Sequence, residues 1–287
     1  MTTVNGKLGE RAMIVRLTIG QWTARRFDRK VSQEVADTHK AEMDAGRYNK
    51  VLIARKELSK ISVIVGQTRA YHYAHTLPWT DEGGRILASA LFFDYTKEMA
   101  EYKAKFERCV TVFMDNYDQY VQDAAQHLGS MFDAKEYPRK AELRSKYKFE
   151  TDIYQLPEAR DFRVNLPDTE VEMIKKQITA NLRQAAAEAM ADLWKRLYEV
   201  VNTMADRLST KDAIFRDSLF GNVVELTQLL PKMNITGDPK LDEMVKDVEK
   251  KLCMEPDAVR DDPKLRKKVA KSADEILEQM KGYVGGR

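Results

Sequence analysis

The stretch that decides the fold is residues 169–208, TEVEMIKKQITANLRQAAAEAMADLWKRLYEVVNTMADRL. Its apolar side chains recur every three or four residues, which is the period of an α-helix. At 1.5 Å per residue, forty helical residues form a rod about 60 Å long. The apolar stripe consists of Val171, Ile174, Ile178, Leu182, Ala185, Ala189, Leu193, Leu197, Val201, Met204 and Leu208.

A second stripe with the same period covers residues 91–132. Each stripe is longer than an ordinary globular helix of three or four turns. The sequence therefore predicts a mainly α fold: a long antiparallel helical hairpin of coiled-coil type, with additional packed helices and a small β element. The members of this stripe are Leu91, Tyr95, Met99, Tyr102, Phe106, Cys109, Phe113, Tyr117, Val121, Ala124, Leu128 and Met131.

Three consecutive domains follow from this reading. Residues 1–80 are expected to form a basic N-terminal part with a strand at 13–19 and helices at 21–42 and 50–75. Residues 81–210 hold the hairpin, whose tip at about 133–167 contains strands at 147–154 and 161–164. The strand at 13–19 is the expected partner of the tip strands, because a lone hairpin is barely stable. Residues 211–287 are expected to form C-terminal helices, and the Asp238-Pro239 and Asp262-Pro263 pairs predict helix starts near 239–253 and 263–281.

Composition and charge exclude several classes of protein. The chain is 32% charged and 43% hydrophobic, as in ordinary helix-rich globular proteins. No run of eighteen apolar residues is present, so we expect no membrane span and no membrane partner. Cys109 and Cys253 are isolated thiols, which fits a reduced, cytoplasmic setting. Residues 1–75 carry fourteen Lys and Arg against seven Asp and Glu, a net charge of +7, whereas the whole chain carries +3. The basic N-terminal part is therefore the natural place for an anionic partner.

Cations cluster after Trp22, and they predict a nucleic-acid surface, since cations displace counterions from phosphates and aromatic rings stack on bases. A solvated helix face, with Asp28 and Glu57 damping the charge, is the alternative. The predicted phosphate contacts of this first spot are Arg25, Arg26, Arg29, Lys30 and Lys50, with Trp22 as a stacking platform. A wider basic set comprises Lys40, Arg47, Arg55, Lys56 and Lys60.

The predicted tip is a second basic spot, and a solubilising loop is its alternative reading. Lys140 and Arg144 are the predicted phosphate contacts there, with Tyr137 and Tyr147 interleaved. The remaining cations of the tip are Lys135, Arg139, Lys146 and Lys148.

Catalytic and metal-binding patterns are weak. His72 and His75 have a spacing that can chelate a metal, with Asp81 and Glu82 nearby, but no further His or Cys cluster accompanies them. No phosphate loop, nucleophile elbow or Cys–His arrangement is present in the sequence. We therefore expect no enzyme, no cofactor and no metal.

Several stretches together resemble an uncharacterised family of phage and mobile-element proteins over residues 10–235. Members are encoded beside MoxR-type (cobaltochelatase-like) AAA+ ATPases and von Willebrand A-domain proteins. The resemblance implies a phage context in a bacterial host cell and supplies no catalytic residues. The stretches are QWTARR at 21–26, DAGRYNK at 44–50, HTLPW at 75–79, DFRV at 161–164 and AIFRDS at 213–218.

The function expected from these observations is a non-catalytic phage-type protein that binds nucleic acid or acts in assembly. An adaptor or scaffold for a MoxR-type AAA+ ATPase, or a self-assembling structural protein, is the alternative. Long rods with small-residue patches often pack against another subunit, so we also expect a homo-oligomer with close helix contact at Ala185–Ala187.

Overall fold

A computed structural model of the chain describes residues 5–79, 83–210 and 213–284. The protein is mainly helical with a small antiparallel sheet, which confirms the coarse fold class. None of the helices in the described ranges is both long and apolar enough to cross a bilayer.

Helices and strands are numbered in chain order. The helices are α1 (Asn5–Arg11), α2 (Arg29–His39), α3 (Arg55–His75), α4 (Phe92–Asp115), α5 (Tyr117–Leu128), α6 (Lys140–Ser145), α7 (Asp168–Ser209), α8 (Ser218–Met233), α9 (Pro239–Leu252), α10 (Pro256–Asp261) and α11 (Pro263–Val284). The strands are β1 (Ala12–Gly20), β2 (Arg25–Phe27), β3 (Asn49–Val51), β4 (Leu77–Pro78), β5 (Gly84–Ala88) and β6 (Lys148–Tyr154).

Two compact units are present, and each is assembled from segments distant in sequence. Unit 1 holds the described residues of Met1–Arg16, Tyr73–Tyr95 and Asp152–Arg287, and unit 2 holds Leu17–His72 and Thr96–Thr151. These boundaries cut through the expected segments 1–80 and 81–210. The first predicted stripe belongs chiefly to unit 2 and the second to unit 1, so the hairpin itself stays a prediction.

Unit 1 is organised around α7, whose apolar stripe is buried from Leu182 to Leu208. Helices α11 and α8 pack on α7, and α9 packs on both of them. Proline at the first position and an aspartate cap begin α9, where Asp238 accepts a hydrogen bond from the N–H of Lys240 at 3.0 Å. Trp194 stacks on Tyr283 of α11 with ring centroids 4.2 Å apart.

Two of the three small residues at Ala185–Ala187 of α7 are buried within the fold of the chain itself. Ala185 and Ala186 are buried, whereas Ala187 is exposed. Only the last of the three alanines is therefore open to another copy of the chain.

The sheet has the order β4-β5-β1-β6. In unit 1, β5 lies between β4 and the first half of β1, with Ile14 opposite Ile86 in antiparallel register. The predicted pairing of 13–19 with 147–154 is confirmed, because β1 and β6 are neighbours. The predicted strand at 161–164 is wrong, since a 3-10 turn at Ala159–Asp161 and irregular backbone occupy this region.

Unit 2 is built around aromatic rings on α4, α5 and the segment that leads into β6. Phe106 lies 5.7 Å from Phe149, and Phe113 lies 6.1 Å from Tyr147 and 6.0 Å from Tyr117 between ring centroids. Burial raises the pKa of Tyr117 to about 12, and its hydroxyl donates to the carbonyl of Pro138 at 3.0 Å.

Two of the predicted helices differ from those observed. The helix expected over 91–132 is divided at Asn116, whose side-chain amide donates to the carbonyl of Val112. The helix expected over 21–42 is wrong for its first part: Arg25–Phe27 is a strand, and the helix begins only at Arg29. Asp28 caps it by accepting the N–H of Val31 at 3.1 Å.

Candidate functional site

Unit 2 is the more basic of the two units. Its residues include twenty-one Lys and Arg against sixteen Asp and Glu, a net charge of +5. The rest of the chain must then carry −2, since the whole chain carries +3. All eight residues predicted to bind nucleic acid fall within unit 2.

The short hairpin of β2 and β3 separates these cations into two groups. Neighbouring residues of a strand point to opposite faces, and residues directly opposite each other share a face. Arg25 pairs with Val51, and Arg26 pairs with Lys50. Arg25 therefore lies on one face of the hairpin, and Arg26 and Lys50 lie together on the other.

The face with Arg26 and Lys50 is neutralised within the protein. Lys50 is 4% exposed, and its Nζ lies 2.6 Å from Glu136 Oε2 and 3.3 Å from Asp28 Oδ2. It also donates to the carbonyl of Met131 at 2.8 Å. Arg26 Nε lies 3.4 Å from Glu136. The predicted phosphate contact through Lys50 is corrected here, because a buried ammonium with two carboxylate partners is out of reach of a ligand.

The pKa values of Lys50 and Asp28, which form a cluster with Glu136, follow from the same contacts. Burial alone would lower the pKa of Lys50, but the hydrogen bonds and charges of Glu136 and Asp28 raise it above its ordinary value. The backbone hydrogen bond from Val31 lowers the pKa of Asp28 against the effect of burial, and Lys50 lowers it further. The cluster thus holds the hairpin to α2 and to the turn at Ala134–Glu136 as a structural element.

The opposite face of the hairpin borders a groove of about 410 Å³, named here the Arg25–Arg55 groove after its two cations. Both arginines are exposed. Neither guanidinium lies within 4.0 Å of a carboxylate among the described residues, and no acidic side chain appears in the described lining. The groove therefore offers uncompensated positive charge.

Trp22 forms an aromatic wall of this groove. Its ring centroid lies 6.0 Å from that of Tyr117 and 6.5 Å from that of Phe113, so the aromatic core of unit 2 fixes its orientation. The indole is half-buried and still lines the groove. A ring held rigidly beside two cations can stack on a planar ligand.

The remaining lining combines apolar and hydroxyl groups. Helix α3 contributes one wall, where Arg55, Ser59 and Ser62 follow each other at helical spacing along one side. The other apolar lining residues are Val51, Ile53 and Leu58, and the other polar ones are Gln21 and Thr23.

Two further predicted cations lie at the start of α2. Arg29 is exposed and has no carboxylate within 4.0 Å in the described parts of the chain, whereas Lys30 lies 4.0 Å from Glu34. Phe27 is 42% exposed, shares the face of Arg25, and carries the guanidinium of Arg47 5.6 Å from its ring centroid.

The second basic spot is on α6. Lys140 Nζ lies 2.8 Å from Asp118 Oδ2, which compensates part of its charge. Arg144 is exposed and, in the described residues, has no ion pair. The spot lies near the Trp22 wall, because Tyr117 contacts Trp22 and bonds to Pro138, two residues before Lys140.

The groove itself was not predicted from the sequence. Arg55 appeared only in the wider basic set, and nothing local links it to Arg25. The link is the pairing of β2 with β3, which brings residues 51–55 beside residues 21–25. A strand over Arg25–Phe27 puts Arg25 and Phe27 on one face and Arg26 on the other, and the prediction of a helix over 21–42 hid this arrangement.

The histidine pair with metal-binding spacing consists of His72 and His75. His72 is buried and His75 half-buried, and both make further interactions. Asp81 and Glu82 lie outside the described residues. Within the described ranges, no group of three or more His, Cys, Asp or Glu side chains has a geometry suited to a metal ion.

Comparison of the chain with protein-family models, curated proteins and solved structures found no match. The site is therefore interpreted from its own chemistry.

Proposed function

We propose that this chain is a non-catalytic nucleic-acid-binding protein and that unit 2 carries the binding surface. The Arg25–Arg55 groove is the observation that supports the proposal, since it combines a fixed indole with two guanidiniums that have no ion pair among the described residues. Arg29 and Arg144 extend the uncompensated charge beyond the groove.

Phosphate binding by such cations is driven largely by counterion release. The logarithm of the affinity falls with the logarithm of the salt concentration, by about 0.7 per phosphate contact on a single strand and about 0.9 on duplex DNA. Four contacts on a single strand would give a slope near −3. The predicted contacts are Arg25, Arg29, Arg55 and Arg144.

The test is fluorescence anisotropy with labelled oligonucleotides from about 50 to 200 mM salt. Replacing both Arg25 and Arg55 by alanine should weaken binding and make the salt slope shallower by about 1.4, that is, two contacts. The matched control replaces Lys267 and Lys268, two exposed cations of unit 1, and changes the net charge equally. Equal losses in both double variants would contradict the assigned surface.

The resemblance to phage and mobile-element proteins gives this activity a context in DNA handling or assembly. An adaptor role toward a MoxR-type AAA+ ATPase is the alternative outcome of the same experiment. It would be favoured if no oligonucleotide bound at low salt and the ATPase were retained on the immobilised chain. Ordered polymers of the chain alone would favour a self-assembling structural protein, and light scattering tests the predicted homo-oligomer.

A further inference from the structure

We infer that the Arg25–Arg55 groove accepts one unpaired nucleotide, with its base on Trp22 and its phosphate between the two arginines, so that the chain prefers single-stranded nucleic acid. This inference rests on the proposed function and adds the form of the ligand. It depends on the size of the groove, the arrangement of its walls and the position of Phe27.

The size of the groove fits one nucleotide. Ligand sites of small-molecule size span roughly 300–1,000 Å³, and this groove measures about 410 Å³. In the interior of a duplex both faces of each base are covered by its neighbours. Only an unpaired base can present a face to the half-buried indole of Trp22.

The phosphate and the base of a nucleotide would meet different residues of the groove. Arg25 on β2 and Arg55 at the start of α3 supply donors for phosphate oxygens. Hydroxyl groups follow Arg55 along α3 at Ser59 and Ser62. The hydroxyl of Ser59 donates to the carbonyl of Lys56 at 2.5 Å, so it offers its lone pairs to a ligand.

Every base carries an N–H group that an accepting hydroxyl such as that of Ser59 can bind, so the hydroxyls of the groove do not select one base strongly. Stacking is also tolerant of sequence, because every base has an aromatic face. The groove therefore predicts binding that depends on strandedness more than on sequence.

A second platform continues the same face. Phe27 lies two residues beyond Arg25 on β2, and 42% of it is exposed. Two residues of a strand span about 6.6 Å. A nucleic-acid strand leaving the groove can place its next base against Phe27 or against the guanidinium of Arg47, which lies over the Phe27 ring.

The experiment compares a labelled twelve-nucleotide thymidine strand with a twelve-base-pair duplex at one salt concentration. The single strand should bind at least about tenfold more tightly, as expected when one or two bases stack. Arg55→Ala should weaken single-strand binding about three- to tenfold and duplex binding less.

Lys56→Ala is the matched control, because Lys56 is the next residue of the same helical turn, is exposed, and lies outside the groove. It should change single-strand affinity less than about twofold, because Lys56 lies outside the groove and Glu57, 3.5 Å away, already compensates part of its charge. Ser62→Phe fills the groove at an exposed position without changing charge and should remove the preference for single strands.

Equal affinity for strand and duplex, or equal losses in Arg55→Ala and Lys56→Ala, would overturn the inference while leaving a phosphate-binding surface in place. Failure of both oligonucleotides to bind at low salt would overturn the proposed function as well.

Discussion

Lys50 Nζ lies 2.6 Å from Glu136 Oε2, and this contact joins residues 86 positions apart in the sequence inside unit 2. The ammonium is 4% exposed and also faces Asp28. A cation that is so fully enclosed fixes the hairpin of β2 and β3, whose other face carries Arg25. Paired cations and a cation without a carboxylate partner among the described residues thus lie on opposite faces of one short strand pair.

Lys50→Met should destabilise the protein strongly. The substitution keeps most of the side-chain volume but leaves two carboxylates of low exposure without their cation, which costs about 3–5 kcal/mol in comparable buried pairs. Urea unfolding followed by circular dichroism measures the change. Arg26→Ala is the matched control, because Arg26 meets the same Glu136 with a side chain that is 55% exposed, and it should cost less than about 1 kcal/mol.

Asp28→Asn should reveal a pH-dependent contribution. Asparagine caps a helix about as well as aspartate, so the variant removes the charge and retains the cap of α2. The pKa of Asp28 is lowered in the folded protein, so its contribution is present above about pH 3.9 and is lost as the pH falls through the folded value.

The pKa of Lys50 is raised, so its contribution is present below about pH 10.4 and is lost as the pH rises through the folded value. The difference in unfolding free energy between the natural chain and Asp28→Asn should therefore be largest between about pH 4 and pH 10. A difference that stayed constant down to pH 2.5 would show that the carboxylate of Asp28 contributes no charge interaction.

Arg196→Met should destabilise unit 1. Its guanidinium donates to the carbonyls of Ala74 at 2.6 Å, Tyr73 at 3.0 Å and Thr76 at 2.8 Å, where α3 ends and carbonyls lack helical partners. Loss of these charge-assisted bonds should cost about 2–4 kcal/mol in thermal or urea unfolding. Lys195→Met, one residue earlier and 65% exposed, should stay within about 0.5 kcal/mol of the natural chain.

Arg144→Ala should weaken nucleic-acid binding more than Lys140→Ala. Both cations lie on α6, but Asp118 already compensates Lys140. Anisotropy titrations at two salt concentrations should show a shallower salt slope for Arg144→Ala, by about 0.7 on a single strand. The reverse order would place the phosphate backbone on the side of Asp118.

Helices whose signals lie in neighbouring residues were predicted from the sequence. The stripe from Val171 to Leu208 predicts α7, and aspartate followed by proline predicts the starts of α9 and α11. The break at Asn116 was missed because apolar residues continue in phase across it. The strand β5 was missed because its role depends on pairing with β1, seventy residues earlier.

The sequence predicted several residues of the candidate site but not their arrangement in space. Trp22 and Arg25 do line one groove, whereas Lys50, only one strand away, is enclosed with carboxylates. No local pattern distinguishes these two cations, because the distinction comes from strand pairing and from the distant Glu136.

The discontinuous units also set an order for folding during synthesis. Every residue of unit 2 has been made once the chain reaches Thr151. The stripe of α7 must wait for α11, which begins at Pro263, more than fifty residues after α7 ends. All residues of the groove are therefore synthesised while the apolar stripe of α7 still lacks α11 as its cover, and a chaperone that binds nascent chains would meet α7 in that interval.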